Sequence, residues 1–97
     1  MACHVIFEMT VKAGRFDDLR KWFLEKLPGT RDFEGNISVE VVRDQDDPTR
    51  IVFVEKWDAR QDFERYLAWR TETGVVAELG ELLEGGIDFR FHDGLGV

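Results

Sequence analysis

The chain has 97 residues, of which 43% are hydrophobic and 34% charged, with eight Phe, three Trp and a formal net charge of -7. That length holds one domain with one core, read as a single unit over residues 1–97, and the aromatic content excludes intrinsic disorder. The acidic balance excludes nucleic acid as a partner, because phosphate binding needs clustered Lys and Arg, and no apolar run reaches the length of a membrane span.

Residues 3–11 (CHVIFEMTV) set Cys3, Val5, Phe7, Met9 and Val11 on one side of a predicted strand, with His4, Ile6, Glu8 and Thr10 on the other. After Gly14 the period changes. Phe16, Leu19, Trp22, Phe23 and Leu27 recur at helical spacing, and Pro28-Gly29 is expected to stop that helix. Residues 36–43 (NISVEVVR) and 51–57 (IVFVEKW) read as two strands, and the polar loop from Asp44 to Thr49 joins them as an antiparallel hairpin. Asp58 and Gln61 have capping-box spacing, which starts a second helix with Phe63, Tyr66, Leu67 and Arg70 on one stripe. Val75, Leu79, Leu82 and Leu83 continue the helical spacing; Thr71 to Gly74 either interrupts the helix or is crossed by it. Gly85-Gly86 closes the segment, and residues 87–92 (IDFRFH) form the last predicted strand.

The order β-α-β-β-α-β defines an α+β, ferredoxin-like fold with an antiparallel sheet. Both helices are expected on one sheet face. Ile51, Val52, Phe53 and Val54 are apolar whichever way they point, so the other face also needs cover. A second copy of the sheet is the simplest cover, which predicts a homodimer enclosing a partly polar interior. The single cysteine, Cys3, excludes an intramolecular disulfide and a C-x-x-C zinc site, so a cytoplasmic location is expected. Met1-Ala2-Cys3-His4 carries no targeting signature.

Three stretches resemble a known family: Leu27-Pro-Gly-Thr-Arg-Asp-Phe-Glu-Gly35, then Asp46-Asp-Pro-Thr-Arg50, then Val54-Glu-Lys-Trp57 running into Asp58. Together they are similar to the antibiotic biosynthesis monooxygenase domains, which are small dimeric α+β barrels, and the likeness runs over nearly the whole chain. The resemblance implies a homodimer with a pocket between sheet and helices for a small aromatic ligand. It also implies oxidation of quinol-like or polycyclic phenolic substrates by molecular oxygen without a cofactor, an activity found in some members. Many members carry a His nine positions after the tryptophan of the E-x-W element, and here that position is Tyr66. The haem-degrading branch has a ligating His in the later helical region and an Asn in the first strand. Arg70 to Glu84 holds no His, and Cys3 to Val11 no Asn, so haem is not expected.

Cofactor-free oxygenation asks a protein to hold an aromatic plate, take a proton and stabilise an oxyanion. Tyr66 and Glu55 are the candidate catalytic residues, with Phe53, Trp57, Trp69 and Arg90 as candidate pocket residues. Each also has a structural reading: an aromatic stripe at helical spacing describes core, and Glu55 with Arg90 describes an interface ion pair. Glu8 and Glu40 share that ambiguity. His4 and His92 stand near strand ends without clustered carboxylates, so no metal site is expected, and no phosphate-binding or nucleophile-elbow motif is present. The alternative to an oxygenase is a non-catalytic homodimeric module that binds a small aromatic or hydrophobic ligand.

Overall fold

A computed structural model describes residues 2–97. Its elements are β1 (Cys3–Val11), α1 (Phe16–Asp32), β2 (Asn36–Arg43), β3 (Arg50–Trp57), α2 (Arg60–Glu72), α3 (Val75–Glu81), β4 (Leu83–Glu84) and β5 (Arg90–Asp93). The sheet runs β2-β3-β1-β4, and β5 also pairs with β1; every ladder is antiparallel. This is the α+β, ferredoxin-like arrangement expected from the order of elements.

Alternation decides which side chains enter the core. Val5, Phe7 and Met9 of β1 and Ile51, Phe53 and Trp57 of β3 are buried, and they pack with Leu19 and Leu27 of α1 and Phe63 of α2. The helices therefore cover one sheet face. Phe7 stacks on Phe53 with centroids 4.7 Å apart, and Phe23 and Phe89 meet that pair edge-on. The other face carries His4, Ile6 and Glu8 with Val52 and Val54, and Val54 is exposed. Among the described residues no helix is long and apolar enough to cross a membrane.

Local expectations are corrected at three places, and one question left open by the sequence is decided. Helix α1 does not stop at Pro28-Gly29 but continues to Asp32. Proline removes one helical hydrogen bond, to the carbonyl four residues back. That residue is Leu24, which lies exposed on the solvent side, while Thr30 beyond the proline is buried and bonded. Helix α2 lacks the capping box: Ala59 takes the N-cap without a side-chain bond, and the Asp58 amide donates to the Gly35 carbonyl at 2.8 Å. The open question at Thr71 to Gly74 resolves as a break, with Gly74 in the left-handed region at φ 81° between α2 and α3. Leu83, expected on the helical stripe, opens a two-residue strand instead, and of the strand expected over 87–92 only the end remains, as Arg90–Asp93. Leu83–Glu84 and Arg90–Asp93 pair with opposite ends of β1, and the chain between them leaves the sheet after Gly85 (φ 71°) to lay Ile87 and Phe89 against the core.

Candidate functional site

Between the sheet and the helices lies a cavity of about 60 Å³. Phe7, Phe53 and Glu55 rise into it from the sheet, and Thr30, Tyr66 and Arg70 descend from the helices. Leu79 of α3 and the segment carrying Ile87 and Phe89 close its sides. A volume this small holds a few waters, whereas small-molecule sites span roughly 300 Å³ or more. An aromatic ligand therefore needs the closing elements to move.

Glu55 is the chemical feature of the floor. Its place in β3 alternates it inward with Phe53 and Trp57, and it is 3% exposed. Burial pushes its carboxyl up to about 7, against an opposing effect from the Trp57 indole, whose Nε1 donates to Glu55 Oε1 at 2.8 Å. A carboxyl poised near neutrality can both accept and return a proton.

A polar cluster occupies the roof. Tyr66 and Arg70 sit one turn apart on the inward stripe of α2, facing Thr30 of α1. The Tyr66 hydroxyl is 2.6 Å from Thr30 Oγ1, and Arg70 Nε donates to the same hydroxyl at 3.1 Å. Arg70 Nη2 donates to the Lys26 carbonyl at 2.7 Å and, more weakly, to Thr30 Oγ1 at 3.4 Å. Gly29 makes this approach possible, because a Cβ there would sit 2.9 Å from Arg70 Nη2. The Pro28-Gly29 pair thus belongs to the site's construction rather than to a helix end.

The candidates from sequence divide. Tyr66, Glu55 and Phe53 line the cavity together. Trp57 does not: it is fully buried behind the floor and reaches the site through its bond to Glu55. Trp69 lies roughly 100° around the helix from Arg70. It is 38% exposed and stacks on Phe33 outside the cavity. Arg90 is on the wrong side of the sheet to meet Glu55, because it pairs with Ile6 whereas Glu55 pairs with Val5, and neighbouring strand positions face opposite ways. Its nearest carboxylate is Asp88, at 3.6 Å, on the surface.

Glu8 pairs with Arg50 on the outer face, and the His92 ring meets the His4 carbonyl at 3.3 Å. Among the described residues no group of three His, Cys, Asp or Glu side chains is placed to hold a metal ion. Thr30 and Arg70 are site residues that sequence reasoning missed. The available signal was a charged residue, Arg70, on an otherwise aromatic and aliphatic helical stripe.

Comparison with known proteins gives a family and a fold. Residues 2–73 match the family described as antibiotic biosynthesis monooxygenase. Rv0793 from Mycobacterium tuberculosis is similar in structure at 18% identity and a TM-score of 0.85, over 100% of this chain and 98% of that one. A conserved protein from Methanosarcina mazei Go1 is similar at 16% identity and a TM-score of 0.85, over 95% and 91%. A variant of SnoaB, a cofactor-independent oxygenase from Streptomyces nogalater, is similar at 14% identity and a TM-score of 0.83, over 99% and 95%. At such identities the likeness is one of fold. No curated protein matches the chain significantly.

Proposed function

The chain belongs to the antibiotic biosynthesis monooxygenase family, and from that premise we propose that it oxidises a quinol-like or polycyclic phenolic small molecule with molecular oxygen and no cofactor. The observation that carries this reading is Glu55, a carboxyl held near neutrality in an aromatic-lined cavity. In the proposed reaction the Glu55 carboxylate takes a proton from the substrate, and the resulting anion gives one electron to oxygen. Recombination of the radical pair forms a substrate peroxide. Glu55 returns its proton to the outer peroxide oxygen, the carbon that bears the peroxide gives up its remaining hydrogen as a proton, and the O–O bond breaks so that the outer oxygen leaves with both protons as water. The substrate loses two hydrogens and gains one oxygen, so it supplies all four electrons itself. Tyr66, held by Thr30 and Arg70, is proposed to hydrogen-bond the developing oxyanion, and Phe53 to stack on the ring. The working unit is proposed to be a homodimer whose outer sheet faces meet, and the protein to act in the cytoplasm.

The test is oxygen uptake by metal-free protein across a panel of quinols and anthrone-like phenols. Turnover that falls at least about a hundredfold in Glu55→Gln, the scale of a lost acid-base group, supports the reading; a smaller loss is expected in Tyr66→Phe. No turnover across the panel sinks it. Tyr66, standing where many members of the family carry a His, favours a second reading, a binding module without catalysis. A panel member that raises the melting temperature yet is recovered unchanged after aerobic incubation would select that one.

A further inference from the structure

The cavity does not share the acidity of the chain. Net charge over the sequence is -7, yet Glu55 is the one acid that lines the cavity while Lys26 and Arg70 both line it. Lys26 has an answering charge, since its ammonium lies 3.8 Å from Glu78. Arg70 has none: it is 7% exposed, and among the described residues no carboxylate is within ion-pair distance of it. Its hydrogen bonds go to neutral acceptors, the Lys26 carbonyl, Thr30 and Tyr66, and its guanidinium lies 4.3 Å from the Trp69 ring centroid. These contacts use Nε and Nη2 and leave Nη1 without a hydrogen bond. Carbonyls and aromatic faces temper a buried cation but do not neutralise it, and Nη1, which is not a fully buried atom, stays open to a further acceptor.

We infer that Arg70 is the anion-recognising residue of this cavity and that the physiological ligand is an aromatic compound bearing a carboxylate or an equivalent fixed negative group. The guanidinium's free edge pairs with that group while the ring lies over Phe53 and Phe7. Gly29 is part of the same device, because any side chain there displaces Nη2. The inference rests on reading the cavity as a ligand site, but not on its being catalytic.

The experiment measures binding of 2-naphthoate and 2-naphthamide, which share a ring system and differ in charge, by anaerobic calorimetric titration with no turnover possible. The wild type is expected to bind the carboxylate at least about tenfold more tightly, the scale of a charge-assisted hydrogen bond. Arg70→Gln is expected to abolish the preference and Arg70→Lys to restore part of it. Equal binding of the two probes by the wild type, binding of neither at millimolar concentration, or a preference that survives Arg70→Gln overturns the inference. Should Arg70→Gln fail to fold, Gly29→Ala decides. It is expected to weaken naphthoate alone, and an unchanged preference in that variant counts against the proposal. Because nothing is oxidised, loss of this inference leaves the oxygenase reading standing, and an inactive enzyme leaves this inference standing.

Discussion

At the scale of single residues, Glu55 connects stability to activity through one proton. Its carboxyl titrates at about 7 in the folded chain against an ordinary 4.5. Below about pH 4.5 both folded and unfolded chains hold the proton, and no difference arises. Between those values the unfolded chain releases it while the folded chain keeps it, so stability falls as pH rises. Above pH 7 the cost has reached its full size of about 3 kcal/mol. Glu55→Gln removes that cost, so its melting temperature should exceed the wild type's by roughly 15 °C at pH 8 and by little at pH 4.5. A pH-independent difference in calorimetry would contradict the assignment. The same ionisation sets the expected kcat/KM profile of the proposed oxygenase, which rises with pH through about 7 as the base form appears. A carboxyl that weakens the fold at the pH where it works is the pattern expected of a functional group rather than of core packing.

At the scale of elements, the junctions decide more than the regular segments. Gly35, at φ 92° between α1 and β2, accepts a hydrogen bond from the Asp58 amide, and a Cβ on it would lie 2.3 Å from Asp62 Cγ at the start of α2. Three elements meet on one residue that only glycine can be. Gly35→Ala combines a left-handed conformation with a close clash and should cost about 2 kcal/mol or more. That corresponds to a fall in melting temperature on the order of 10 °C for a domain of this size. Gly14 shares the positive φ, at 75°, but no atom lies within 4 Å of the place its Cβ would take. Gly14→Asn should therefore melt within a few degrees of the wild type, since Asn tolerates that region. Equal losses in the two variants would show that the Asp62 contact is irrelevant.

At the scale of the whole molecule, the helices leave one sheet face to something else. Ile6 and Val52 there are only partly buried, and Val42 and Val54 are 45% and 37% exposed. The Glu8–Arg50 pair lies on the same face. A face of β-branched side chains interrupted by ion pairs suits another copy of itself better than water. Light scattering at micromolar concentration should give a dimer. Val54→Asp, which sets a charge in the centre of that face, should give a monomer with unchanged far-ultraviolet circular dichroism. A wild-type monomer would remove the homodimer from the proposal.

What the sequence determined by itself was everything that depends on period and parity along the chain. The order of elements, the extents of β1 and β2, the inward aim of Phe53 and Glu55 and the inward stripe of Phe63, Tyr66 and Arg70 were all legible, because alternation and helical spacing are local properties. The tertiary structure alone decided which groups meet. Tyr66 and Thr30 are 36 positions apart, and Arg70 and the Lys26 carbonyl are 44 apart; no local pattern announces such pairs. Those distant contacts carry α1 through Pro28, where propensity alone would end it. Glu55 was expected to find Arg90 and instead found Trp57, two residues away on its own strand. Parity forbade the first partner, since Arg90 and Glu55 stand on opposite faces of the sheet, but applying it required the register of β5 against β1. Only the assembled sheet supplies that register.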